Sequence, residues 1–171
     1  MKALSIHPEW AFAITHLGKR VENRSWRPPA ADIGKCFAIH ASRHFGGSPG
    51  EKRALRQIEA LRSMAKRCGW TDKGFDETLA AAASASLSCS AQRFRGIPVG
   101  SIVATARLVS CRRPARIPEP WAFGPWCWIL EDVRRLEEPI KCKGRQGLWS
   151  AAALADAIAE AKASPAGGAP R

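Results

Sequence analysis

Leu17-Gly18-Lys19-Arg20-Val21-Glu22-Asn23-Arg24-Ser25-Trp26 packs a glycine turn, three cations, one carboxylate and an indole into ten consecutive positions. Gly18 suits the left-handed residue that ends a helix, which puts Lys19 at the mouth of the turn. If the chain is extended beyond it, alternation places Val21, Asn23 and Ser25 on one face and Glu22, Arg24 and Trp26 on the other. Carboxylate, guanidinium and indole then converge. The same residues also suit a solvated charged turn, with a Glu22–Arg24 pair worth under about 1 kcal/mol and Trp26 as core.

Upstream, Lys2 to Ile6 reads as a first strand. Pro8 opens a helix over Glu9 to Leu17, with Trp10, Ile14 and Leu17 at near-helical spacing. That stripe accounts for Trp10, so it is assigned to the core. Downstream, Arg27-Pro28-Pro29 and Gly34 interrupt regular structure before a short apolar strand, Cys36 to Ala41, ending at His40-Ala41-Ser42. His40 either reaches the cleft or bonds a carbonyl in the core.

Ser48-Pro49-Gly50-Glu51 has the capping-box pattern and predicts a long helix ended by Gly69. Leu55, Ile58, Leu61 and Met64/Ala65 form its expected apolar stripe, with Lys52, Arg53, Arg56, Arg62 and Lys66 outside it. The alanine- and serine-rich stretch Asp76 to Ala91 predicts a second, weaker helix. Residues 46–95 then form a helical insertion, placed to act as a wall or lid.

Val99 to Val109 is a strand, with Gly100 at a bulge or close approach. Prolines keep Arg112 to Pro120 irregular, and Trp121 to Pro125 brings aromatics beside those arginines. Trp126 to Leu136 reads as a long strand with Trp126, Trp128 and Leu130 on one face, and Trp126 and Trp128 are candidates for a base-stacking wall. Lys141 to Trp149 is a basic, glycine-flexible closing segment in which Arg145 and the backbone either approach a phosphate or form a plain turn. Ala151 to Ala163 predicts a terminal helix, and 164–171 a disordered tail.

Lys19, Glu22 and Arg24 match the Lys-x-x-Glu-x-Arg part of the GxKxxExR signature of ASCH domains, within the PUA-like superfamily. Leu17 stands where the signature has its first glycine. The chain also resembles that family at Pro8-Glu9-Trp10, Ile39-His40-Ala41-Ser42, Gly100 to Leu108 and Gly147-Leu148-Trp149, so the likeness covers about residues 1–45 and 96–150. It implies a mixed α/β (α+β) fold, a small, mostly antiparallel β-barrel with peripheral helices, as one domain over 1–163. It also implies RNA or modified-nucleobase binding. ASCH-like proteins include ribonucleases and a subgroup that hydrolyses N4-acetylcytidine with lysine, threonine and glutamate. Lys19 matches that lysine, but Glu22 occupies the threonine position.

A chain of 171 residues accommodates one domain with a substantial core. No apolar run reaches the roughly 18 residues of a membrane span, and no signal peptide opens the chain, so a cytoplasmic protein without membrane contact is expected. The six cysteines, at 36, 68, 89, 111, 127 and 142, lack metal-ligand spacing and read as reduced thiols. Cys111 and Cys142 sit among cations, a setting that lowers a thiol pKa. Neither metal nor cofactor is expected.

The net charge of +12 fits a nucleic-acid partner, RNA ahead of DNA, or a modified nucleoside derived from it. Lys19, Glu22, Asn23, Arg24, Trp26, His40, Ser42, Trp126, Trp128 and Arg145 are the candidate ligand contacts. The alternative is a metal-independent ribonuclease or nucleoside amidohydrolase in the same cleft, with Lys19 and Glu22 catalytic. Arg20 and Arg24 would lower the Lys19 pKa and Glu22 would raise it; the sequence leaves the net sign open.

Overall fold

A computed structural model describes residues 1–44, 51–84, 93–94, 96–117, 119–161 and 163–165. The chain runs through β1 (Lys2–Ile6), α1 (Pro8–His16), β2 (Val21–Arg24) and β3 (Cys36–Ala41), then α2 (Glu51–Arg67) and α3 (Asp72–Ser84). Two short strands follow, β4 (Arg93–Phe94) and β5 (Ile97–Pro98), and then β6 (Ser101–Arg112), β7 (Trp126–Lys141), β8 (Leu148–Ser150), α4 (Ala155–Glu160) and β9 (Ala163–Pro165).

The main sheet has the order β2-β7-β6-β3-β1-β8, with β9 also paired to β7. Only β1 and β3 run parallel among these pairs, so the sheet is mostly antiparallel. Register shifts interrupt β6–β7 at three places and β3–β6 between Ile39 and His40. Bulges of this kind bend a strand pair and increase its twist. The sheet accordingly curls into a half-barrel, and no ladder joins its outer strands β2 and β8 among the described residues. The expected α+β class holds, and the barrel is open.

Helix α1 is buried on nearly every side because it is sandwiched between two apolar layers. Ala11 and Ile14 enter the core inside the half-barrel with Leu4, Ile39 and Val103. Phe12, Ala13 and Leu17 face a second core built by Ile58, Leu61 and Phe75 of the insertion. A third cluster joins Trp149, Leu136 and Ile158 at the far end of the sheet. Among the described residues no helix is long and apolar enough to cross a membrane.

Several expectations need correction. The buried stripe of α2 is Ala54, Ile58, Leu61 and Ala65: Ile58, Leu61 and Ala65 are buried as expected, while Leu55 is exposed and Ala54 takes its place. Arg62 pairs with Glu59, Asp72 and Asp76, and Lys66 with Asp72, so these cations join α2 to α3. The second helix starts at Asp72, ahead of the predicted Asp76. The terminal helix is only six residues long, because the chain turns at Ala161 and Ala163–Pro165 adds a strand to β7 where a helix end and a disordered tail are predicted. The proposed cap at Ser48 lies outside the described residues, as do Ala85 to Ala91 of the predicted second helix and residues 166–171.

Candidate functional site

Gly18, at φ +73°, ends α1 as its position requires. Beyond it, the Lys19 N–H donates to the Ala13 carbonyl at 3.1 Å, which fixes where the lysine leaves the turn. Its side chain folds inward and is 1% exposed. Lys19 Nζ donates to the Val21 carbonyl and to Glu22 Oε2, the latter at 3.2 Å. Glu22 Oε1 in turn lies 3.1 Å from Arg24 Nε, and Arg24 Nη2 donates to the Ser5 carbonyl at 2.6 Å. One carboxylate is therefore held between two cations, the lysine fully buried and the arginine partly exposed. Burial pushes the Lys19 pKa below its ordinary value, outweighing the attraction of Glu22.

This row borders a pocket of about 640 Å³, a volume suited to a nucleoside. Trp10, Trp26 and Phe123 contribute aromatic surface, and Ser42 and Arg145 lie at its edge. Trp10 stands 5.6 Å from Phe123 between ring centroids, and its ring lies 5.9 Å from Lys19 Nζ. Trp26 meets Trp128 edge-on at 4.7 Å.

Of the ten candidate contacts, Lys19, Glu22, Asn23, Arg24, Trp26, Ser42 and Arg145 line this one pocket. Asn23 is largely occupied by the protein itself: Oδ1 accepts the N–H groups of Phe123 and Gly124 at 3.1 and 3.0 Å, and Nδ2 donates to the Trp121 carbonyl at 2.8 Å. It anchors the loop that presents Phe123. Gly124 is pressed so closely onto Asn23 that an added Cβ would sit 2.7 Å from the asparagine Cβ.

The other three lie elsewhere. Trp128 is fully buried and donates from Nε1 to the Trp26 carbonyl at 3.2 Å, so it supports the pocket wall without forming it. Trp126 packs with Arg27 and Arg113, outside the pocket lining. His40 is 1% exposed; its Nε2 donates to the Cys142 carbonyl at 3.3 Å, its ring meets Trp149 edge-on, and burial lowers its pKa. Of the two readings left open for His40, the core one describes its surroundings.

Trp10 and Phe123 are pocket residues that the sequence reading did not select. A helical stripe explained Trp10, and nothing local marks Phe123 apart from its place in the Trp121–Pro125 aromatic run. No described residue of the insertion lines the pocket: α2 and α3 buttress α1 from behind, which is neither wall nor lid. The Cys111 and Cys142 thiols are raised, not lowered, because burial outweighs Arg27 beside Cys111 and the Ile102 backbone hydrogen bond at Cys142. Among the described residues no three His, Cys, Asp or Glu side chains gather as a metal site. Comparison of the sequence with protein-family models and with curated proteins gave no match.

Proposed function

We propose that the pocket binds a single base of RNA, or a modified nucleobase, between its aromatic surfaces. The supporting observation is the row Lys19–Glu22–Arg24 bordering a nucleoside-sized space: donors and an acceptor stand side by side at one end, with indole and phenyl rings near them. Stacking contributes about 1–3 kcal/mol per base whatever the base, while the hydrogen-bonding row selects among edges. Trp26→Ala and Arg24→Ala should each weaken binding of a labelled single-stranded RNA about tenfold or more, measured by fluorescence anisotropy, with the melting curve showing a folded protein. Unchanged affinity in both folded variants would remove the pocket from the binding site.

One observation favours a second reading, hydrolysis in the same pocket. A lysine whose charge is disfavoured by burial, in contact with a carboxylate, is the kind of group that takes up a proton or attacks a carbon. Paired native and denaturing gels in EDTA separate the readings. RNA shortened by wild type and left whole by Lys19→Ala supports catalysis; retarded, intact RNA supports recognition alone. Catalysis through neutral Lys19 would rise with pH and level off below the 10.5 of an ordinary lysine.

A further inference from the structure

We propose that Arg27 and Arg113, both stacked on Trp126, form a backbone-phosphate site beside the pocket, so that the ligand is a base within a strand of RNA and not a free nucleoside. The inference rests on the pocket reading above. The Arg113 Cζ lies 4.0 Å from the Trp126 ring centroid and the Arg27 Cζ 4.4 Å, two guanidiniums on one indole. Both arginines are exposed, and among the described residues neither has a carboxylate partner. This separates them from Arg62 and Arg107, whose charges are taken up by neighbouring acids.

Stacking uses the face of a guanidinium and leaves its N–H edges for hydrogen bonds: Arg113 Nη1 gives one to the Pro125 carbonyl at 3.4 Å and Arg27 one to the Cys111 thiol, and the remaining donors are left for a ligand. It also restricts the side chain before any ligand arrives, which reduces the entropy lost on binding. Two guanidiniums on one indole gather positive charge around it, and a phosphodiester fits the fork geometry of either. Arg112 and Arg116, exposed and likewise without a carboxylate among the described residues, add positive charge to the same segment.

The site adjoins the pocket by covalent and ladder geometry. Arg27 directly follows Trp26 of the pocket wall, and Trp126 is the cross-strand neighbour of Arg24. A strand whose base enters against Trp26 therefore has its next phosphate within the reach of these arginines.

The experiment measures affinity of a short mixed-sequence single-stranded RNA over a salt series for wild type, Arg27→Gln/Arg113→Gln and Trp26→Ala. With folding checked by thermal melting, the double variant should bind about tenfold or more weakly near 0.1 M salt. The slope of log K against log salt should fall by about 0.7–1.4, the loss of one or two phosphate contacts. An unchanged slope in the double variant overturns the phosphate site, and leaves the pocket reading standing if Trp26→Ala still weakens binding. Weakening in the double variant with none in Trp26→Ala sinks the pocket reading instead. Failure of wild type to bind overturns both. Should the double variant not fold, wild type is tested with RNAs carrying one neutral methylphosphonate linkage at successive positions: a localised loss of affinity supports the site, and uniform affinity excludes it.

Discussion

Glu22 carries two cations at once, Lys19 at 3.2 Å and Arg24 at 3.1 Å, and both Glu22 and Lys19 are withdrawn from water. Removing the carboxylate leaves a buried ammonium without its counter-charge, so Glu22→Gln should cost about 3 kcal/mol in urea unfolding. Lys19→Met combined with Glu22→Gln should recover a large part of that loss, since the fully buried charge is then gone and Arg24, the cation that remains, is partly exposed; no recovery would mean the pair is not coupled as described. His40 makes a pH-dependent contribution. Its folded pKa lies below 6.5, first because of burial and also because of Arg43, with the Cys142 carbonyl opposing. Below 6.5 the unfolded chain binds a proton that the folded protein refuses, so stability should fall as acid is added through that region. His40→Gln should flatten this part of the stability curve, and an equally steep decline in the variant would assign it to other groups. The motif residues themselves were legible in sequence because polar identity and spacing survive folding unchanged. The direction of the Lys19 pKa was not, since neighbours along the chain say nothing of how deeply a side chain is buried.

The helix α2 shows where periodicity stops being sufficient. The expected stripe Leu55–Ile58–Leu61–Met64/Ala65 and the observed Ala54–Ile58–Leu61–Ala65 differ by a small rotation, and hydrophobicity alone selects the leucine-bearing face. Ala54 and Ala65 instead pack into the second core with Phe12 and Ala13 of α1. Leu61→Ala should therefore cost about 2–5 kcal/mol and Leu55→Ala no more than about 0.5 kcal/mol, a contrast that chemical denaturation resolves easily. Equal costs would contradict the observed rotation. Strands β1, β3 and β6 were readable from apolar runs bounded by glycine and proline, and β3 keeps its predicted bounds. The edge strand β9 was not readable: Ala163-Ser164-Pro165 has weak strand propensity and is extended because β7, sixteen residues long, offers it open backbone beyond β2. Similarly, Phe123 acquires its place in the pocket from hydrogen bonds to Asn23, one hundred positions away.

Taken whole, the molecule is a half-barrel whose cavity-bearing end is assembled from sequence extremes: β1 and β2 from the first residues, the Trp121–Gly124 loop and Arg145 from the last third. Alternation and turn residues identified the strands, but the opening between β2 and β8 depends on register shifts that have no local sequence mark. Strand β1 lies between β3 and β8, and Trp149 of β8 donates from its indole to Ser5 Oγ at 3.1 Å. Deleting residues 148–171 should consequently prevent formation of a stable fold, seen as loss of the near-ultraviolet circular dichroism of the tryptophans; a truncated protein with native-like signal and a cooperative melt would refute this. During synthesis, residues 2–6 leave the ribosome long before residues 148–150, their second hydrogen-bonded neighbour. Through that interval the nascent chain carries one side of that apolar strand unpaired, and it is then that a holding chaperone has most to protect.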